Sequence, residues 1–442
     1  MDGAARGPGL RTRRGDRAGH RPPGLQPGLL QPVPGAGDRR RDGRDRHRPP
    51  RRRGDPRPGR CALHGRGGAR AGPLRPHEGP RRPRPARPRP ARQPAADRGP
   101  HHRLKEHPVT SSTQVQLVSR PRGWPTPEDF RTVSVELPAL APGQVRIRNE
   151  FLSVDPYMRG RMSAARSYVA PYAVGETMTG GAVGRVEEST SDDLPVGTLV
   201  VHDLGWRDVA QGDAAAFRAV AEVPGAPSSL HLGILGMTGL TAYVGLTAIA
   251  GLREGETVFV SGAAGAVGTA VGQIARLLGA STVIGSAGSA EKVALLEGKY
   301  GYDRALNYRD APIREQLAQA APDGIDVFFD NVGGDHLEAA LAAFNDHGRA
   351  AICGAISQYN ATGPVAGPDN LGNLVTRKLT LRGFIVGDHR ELAGEFRERM
   401  TGWFADGRIA YDETVFEGIG NAVDAFLAMM RGANTGKMVV RL

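Results

Sequence analysis

Residues 258–268, Val258-Phe259-Val260-Ser261-Gly262-Ala263-Ala264-Gly265-Ala266-Val267-Gly268, run an apolar strand through a glycine-rich turn into a helix. That order of elements suits phosphate chemistry, because a helix N-terminus offers unpaired N–H groups and a positive dipole end to an anion. Gly265 lets backbone approach a pyrophosphate, Ala266 and Val267 open the helix, and Gly268 permits close helix–sheet packing. The first glycine of the usual GxGxxG is Ala263 here, so the turn taken alone also fits a plain strand–helix connection. The end of the next strand selects the nucleotide. NAD sites place Asp or Glu about 20 residues on, where it accepts from the ribose 2′-OH. In this chain that distance reaches Gly285-Ser286-Ala287-Gly288, with Lys292 one turn into the following helix. An uncrowded loop and a cation favour a 2′-phosphate, and so NADP(H). The alternative for Lys292 is a solvated helix lysine.

Alternating strands and helices must position this turn. From about 235 to 375 the pattern implies a parallel sheet with crossover helices. Strands are expected at Thr257–Ser261, Ser281–Ile284, Asp326–Phe329 and Ala350–Cys353. Helices are expected from Val267 to Leu278, from Ala290, and from about Gly334 to Phe344. Residues 114–218 carry short β-rich runs broken by Gly and Pro: Gln114–Val118, Thr132–Leu137, Gln144–Val154, Thr177–Glu187 and Gly197–His202. They predict a compact, mostly β domain. After 378, Leu379–Val386 reads as strand, Glu391–Phe404 and Asn421–Met430 as helices, and Lys437–Val440 as a closing strand.

Residues 1–107 have a different texture. They hold 29 of the 58 Lys+Arg but only 9 of the 46 Asp+Glu, and 19 of the 34 prolines, with no Phe, Tyr, Trp, Ile or Asn. The overall charge of +12 is therefore a basic segment of +20 joined to an acidic remainder of −8. Such a segment cannot bury enough apolar surface to offset its ordering entropy and is expected to be disordered. An arginine arm for nucleic acid is one reading, but it lacks aromatic residues to stack on bases. GC-rich codons read outside a true frame account for the composition better. The expectation is a start at Val109, read from GTG, with Lys105-Glu106 encoding a ribosome-binding sequence.

Two cysteines, Cys61 and Cys353, exclude a disulfide framework and a four-cysteine zinc site. With no secretory signal, the expected location is cytoplasmic. The uncharged stretch Gly233–Leu252 is long enough to span a membrane, but its five Gly and three Thr favour a buried helix with flanking turns. Beyond Val109 the chain has one Cys and five His (His202, His231, His336, His347 and His389), none paired at ligand spacing, so no metal site is expected.

Together these residues make the chain resemble the zinc-independent medium-chain dehydrogenase/reductases, in the prostaglandin reductase, curcumin reductase and alkenal double-bond reductase branch. The resemblance spans 114–442. It rests on Asp155-Pro156-Tyr157-Met158-Arg159-Gly160-Arg161-Met162, Gly236–Tyr243, Ala263–Gly268, Asn307-Tyr308, Asp330–Gly334, Cys353–Asn360, Gly383–Val386 and Asn434–Lys437. It implies an α/β fold: a GroES-like β-barrel over 109–234, a Rossmann doubly wound parallel sheet over 235–376, and a return of 377–442 to the barrel. Ahead of them, 1–108 is the disordered or spurious basic tail. It implies that Gly265–Gly268 hold the pyrophosphate of NADPH and that Lys292 with Tyr308 hold its 2′-phosphate. Asn331, the turn Cys353-Gly354-Ala355-Ile356-Ser357 with Tyr359, Phe384-Ile385-Val386, and Asn434 would line the rest of the cofactor path. Alternatives stay open: a strand-end aromatic for Tyr308, a helix cap for Asn331, a buried strand for Phe384–Val386, and a plain turn residue for Asn434.

Without a metal, hydride addition to a double bond conjugated to a carbonyl suits such a site, and a hydroxyl near the carbonyl oxygen stabilises the enolate. Tyr157 and Tyr359 are the candidate donors. Their alternatives are barrel core for Tyr157 and cofactor positioning for Tyr359. Arg159 and Arg161 are expected in structural ion pairs. Some members carry a further Tyr ahead of Gly-Phe-Ile-Val, where this chain has the region of Thr376. The expected partner is a small enal or enone, with a homodimer implied by the resemblance and no membrane. Competing readings are an NADPH quinone reductase, a non-catalytic NADPH-binding module, and a nucleic-acid-binding protein acting through 1–107.

Overall fold

The computed structural model describes residues 110–442. The expectations for the basic segment and for a start at Val109 lie outside the described residues.

The chain opens with an antiparallel pair, β1 (Thr110–Leu117) and β2 (Phe130–Leu137). There follow β3 (Gln144–Ser153), helix α1 (Tyr157–Arg161), β4 (Ala182–Ser189), β5 (Leu199–His202), β6 (Val209–Asp213) and β7 (Arg218–Ala219). Helix α2 (Met237–Val244) runs into a π-turn over Gly245–Ile249. The next elements are β8 (Thr257–Val260), α3 (Ala266–Leu277), β9 (Thr282–Ala287), α4 (Ala290–Lys299), β10 (Arg304–Asn307) and α5 (Ile313–Ala320). Then come β11 (Ile325–Asp330), α6 (Gly334–Ala343), β12 (Phe344–Ile352), α7 (Asn373–Thr376), β13 (Thr380–Gly383) and α8 (Ala393–Ala405). Strands β14 (Glu413–Glu417) and β15 (Lys437–Arg441) flank helix α9 (Ala422–Met430).

Six strands make a parallel sheet in the order β10-β9-β8-β11-β12-β13. This is the doubly wound Rossmann order, which reverses direction between β8 and β11. Helices cover both faces, so the central strands are continuous apolar runs rather than alternating ones. Phe259 of β8 stacks on Phe328 of β11 with ring centroids 5.1 Å apart, both fully buried. Each such ring contributes about 1.5–3 kcal/mol of burial.

The other lobe is built on a sheet ordered β14-β15-β3-β4-β5-β7, with β6 also paired to β3. Its core centres on Trp206, which meets the rings of Phe130 and Phe426. Phe426 comes from α9, so the C-terminal return supplies both strand and core to this barrel.

Several expected boundaries shift. The strand expected at Ala350–Cys353 runs from Phe344 to Ile352. The strand expected at Leu379–Val386 covers only Thr380–Gly383, and Phe384–Val386 lie past its end. The first lobe's β4 begins at Ala182 rather than Thr177. Since β13 pairs with β12, and α8 buries Phe396 and Met400 in the core shared with α3, the chain stays with the parallel sheet beyond residue 377. Its return begins at β14. Strand β10 and helix α5 were not foreseen. The uncharged stretch from Gly233 folds into α2 and its π-turn, and among the described residues no helix is long and apolar enough to cross a membrane.

Candidate active site

The reversal of strand order opens a crevice at the C-terminal ends of β8 and β11, where doubly wound folds bind ligands. Ser261 locks the two turns that form it. Its Oγ donates to Asp330 Oδ1 (2.8 Å) and accepts from the Asn331 N–H (2.8 Å), while Asn331 Nδ2 donates to the Ser261 carbonyl (2.8 Å). Asn331 therefore does not cap α6, whose N-cap is Gly333. Asp330 does the turn's work instead, accepting from the N–H groups of Val332 and Gly333.

Above this lock, the N–H groups of Ala266, Val267 and Gly268 make no hydrogen bond among the described residues. Gly268 is dictated by packing: a Cβ there would lie 2.5 Å from the Ala263 Cα and backbone oxygen. The departure at Ala263 is absorbed across the sheet. A Cβ on Gly285 would sit 2.8 Å from the Ala263 methyl, so the missing side chain at 285 makes room for the extra one at 263.

The end of β9 holds the cations. Ser289 caps α4 by accepting from the Lys292 N–H, and Lys292 Nζ donates to the Gly432 carbonyl (2.7 Å). Burial, and then the nearby Arg309 guanidinium, lower the Lys292 pKa from its ordinary value. Neither cation has an ion-pair partner among the described residues. Tyr308 completes the group: its hydroxyl oxygen lies 2.4 Å from where a Cβ on Gly288 would stand. Its ring meets the buried His336 edge at 5.4 Å. Two cations without an ion-pair partner, a loop opened by Gly288 and three open amides fit a 2′-phosphorylated dinucleotide. Arg309 is the member that sequence reasoning missed.

The turn 353–359 packs on the turn after β11. The N–H groups of Cys353 and Gly354 donate to the Asp330 carbonyl, Ile356 N–H to Asn331, and Ser357 Oγ to Val332 (2.6 Å). Burial, and then Asp330, push the Cys353 thiol up to about 12, so it is a neutral wall group rather than a thiolate. Phe384 meets the Phe329 ring edge-on at 6.3 Å, leaving Ile385 and Val386 half-buried beyond the strand end. Asn434 Nδ2 donates to the Gly436 carbonyl (2.9 Å), as a turn residue would. That turn touches the glycine loop, because the Gly436 N–H donates to the Ala264 carbonyl (2.9 Å).

Tyr157 and Tyr359 both pack against the core that joins the barrel to α9. The Tyr157 hydroxyl makes no hydrogen bond among the described residues. Burial, and then Asp155, raise its pKa well above the ordinary value, so it stays protonated. The Tyr359 oxygen accepts from the Ala355 N–H (3.4 Å) and keeps its own proton to donate. Burial raises the Tyr359 pKa as well. Tyr168 lies on the loop after α1, largely exposed, and burial of its hydroxyl end raises its pKa. Among the described residues Arg159 and Arg161 form no ion pair, contrary to expectation. Arg159 donates to Asn360 Oδ1 (2.8 Å) and the Gly123 carbonyl (2.7 Å), tying the barrel to the 353–360 turn. Arg161 donates to the carbonyls of Ala170 and Thr179 and stacks 4.0 Å over the Tyr172 ring. Thr376 sits on α7, exposed.

Fold and crevice define a dinucleotide-dependent oxidoreductase with a barrel and a Rossmann lobe. Residues 113–220 match the family described as the N-terminal domain of oxidoreductase, and 266–405 match the zinc-binding dehydrogenase family. Prostaglandin reductase 1 of Sus scrofa is 45% identical over 326 residues, covering 72% of this chain and 95% of the relative. The NADPH-dependent curcumin reductase of Escherichia coli (strain K12) is 40% identical over 333 residues, covering 74% and 95%. The crystal structure of CurA in complex with NADPH from Vibrio vulnificus superposes with a TM-score of 0.71 at 42% identity, covering 74% of this chain and 98% of that one. The chain belongs to the zinc-independent branch of the medium-chain dehydrogenase/reductases. Despite the second family's description, no group of three or more His, Cys, Asp or Glu among the described residues is arranged to hold a metal. Both ring nitrogens of His202 are engaged, with Asn149 Oδ1 (2.8 Å) and the Leu204 N–H (3.1 Å).

Proposed function

We propose that this chain reduces the carbon–carbon double bond of α,β-unsaturated aldehydes and ketones with NADPH. The observation that carries the reading is the crevice itself: open α3 amides at one end, and Lys292, Arg309 and Tyr308, with no ion pair among the described residues, at the other. The reductases named above support it. Gly265–Gly268 would hold the pyrophosphate, and Lys292 with Tyr308 the 2′-phosphate. Asn331, the 353–359 turn, Phe384–Val386 and Asn434 would line the path to the reacting end.

Bound there, NADPH supplies a hydride to the substrate's β-carbon. The protein's part is to orient the enone and to meet the charge that develops on its carbonyl oxygen. Tyr157 and Tyr359, both held protonated, are the hydroxyls that can donate to that oxygen. Half-buried Ile385 and Val386 and the neutral Cys353 keep the site apolar, which strengthens such a hydrogen bond. The Ser261–Asp330–Asn331 lock fixes the turns so that neither reorganises during reduction.

Following NADPH absorbance with an enal, an enone and a quinone tests the reading. Faster turnover of the enal or enone than of the quinone is expected. Turnover of the quinone alone would make the chain a quinone reductase, and NADPH binding without turnover would make it a binding module. The pairing of two copies that the resemblance implies is checked by sedimentation equilibrium.

A further inference from the structure

The barrel carries a recess of about 400 Å³ between β1 and the loop that joins α1 to β4. Its size is within the range of small-molecule sites. Its lining shares no residue with the nucleotide path. Two arginines face it, Arg161 and Arg207, with one carboxylate, Glu176.

The two arginines are differently committed. Arg161 is spent on two loop carbonyls and the Tyr172 ring. The Arg207 side chain makes no hydrogen bond or ion pair among the described residues, and its Nε is buried without a partner. Burial alone lowers the Arg207 pKa from its ordinary value. The Nε is closed off from solvent, so the groups an oxyanion in the recess would take up are the Arg207 Nη donors, which have no acceptor among the described residues. Gln114 and Thr177 bond to each other at the recess wall, leaving Arg207 as the open donor.

Charge and shape narrow the ligand. Arg161, Arg207 and Glu176 sum to one net positive charge, which suits a monoanion better than a phosphate dianion. Pro171 and Ala173 offer exposed apolar surface for a short hydrocarbon body. We propose that this recess is a second binding site, taking a small monocarboxylate whose carboxyl group is held by Arg207 beside Arg161. The Tyr172 hydroxyl donates to the Thr179 carbonyl (2.6 Å), closing the loop that forms one wall of the site.

Calorimetric titration of the full chain with sodium benzoate, benzyl alcohol and inorganic phosphate tests the site without reference to reduction. Failure here therefore leaves the reductase reading untouched. Benzoate is expected to bind more tightly than the other two. Arg207→Gln should weaken it by about tenfold or more through loss of a charge-assisted hydrogen bond. The variant retains the basic segment, so any anion binding there cancels in the comparison. Glu176→Gln, an exposed change that removes the opposing charge, should tighten benzoate and keeps the test decisive if Arg207→Gln does not fold. Equal benzoate affinity in the parent chain and Glu176→Gln, equal affinity in a folded Arg207→Gln, phosphate binding that is tighter than benzoate and is itself lost in Arg207→Gln, or no benzoate binding overturns the proposal.

Discussion

On the proposed reading, cofactor choice turns on Lys292. Its ammonium has a single acceptor, the Gly432 carbonyl, and stands beside Arg309 with no ion-pair partner for either among the described residues. Lys292→Ala should weaken NADPH by about 1.5–3 kcal/mol, the worth of a hydrogen bond to a charged group, and leave NADH nearly unchanged. Titration by cofactor fluorescence reads both, and equal losses would remove Lys292 from the phosphate site. For the proton donors, Tyr359→Phe and Tyr157→Phe isolate one hydroxyl each. Loss of the true donor should lower kcat for an enone by about 100-fold, at the low end of general-acid effects. If neither variant changes kcat, the proton comes from elsewhere. The strand–turn–helix of the glycine loop and the helix that carries Lys292 were legible because their signals are local. Arg309 was not, because it meets Lys292 only once β10 pairs with β9.

The strand–helix corner of β8 and α3 is the least forgiving element. Gly268→Ala would drive a methyl group into the Ala263 backbone, where nothing flexible can yield. Overpacking of this kind costs about 1–3 kcal/mol. Since α3 must move off the turn to relieve it, NADPH affinity should fall together with the denaturation midpoint. A variant that loses stability while binding NADPH normally would show that the amides are not the phosphate site. Elements whose buried positions are consecutive or helically spaced apolar residues, such as β8 and α3, could be read directly from the sequence. Strand β10 could not, since it is a four-residue sheet edge with no fully buried position. The strand expected through Val386 failed for a related reason: Phe384 is apolar because it packs on Phe329, not because it extends β13.

Acid should loosen the whole molecule. Burial lowers the pKa of His202 to about 3 and that of His336 to about 4, against an ordinary imidazole value of about 6.5. The unfolded chain therefore binds more protons as pH drops below about 6.5, so stability falls in that direction. Each fully titrating imidazole contributes about 1.4 kcal/mol per pH unit within its window. Asp330, whose carboxyl is shifted upward by burial, works in the opposite sense and offsets part of the loss. Protonating His202 would also set a second donor against the Leu204 N–H. Urea titrations between pH 7 and 4 should show a flatter dependence in His202→Gln than in the parent chain. The pairing of β15 with the end of β3, across the full Rossmann lobe, has a consequence for biosynthesis. On the ribosome the barrel is begun early and finished late. Until β15 emerges, the rim at Phe151–Ser153 presents unsatisfied amides and carbonyls, a sticky flank that a nascent chain must keep from other chains.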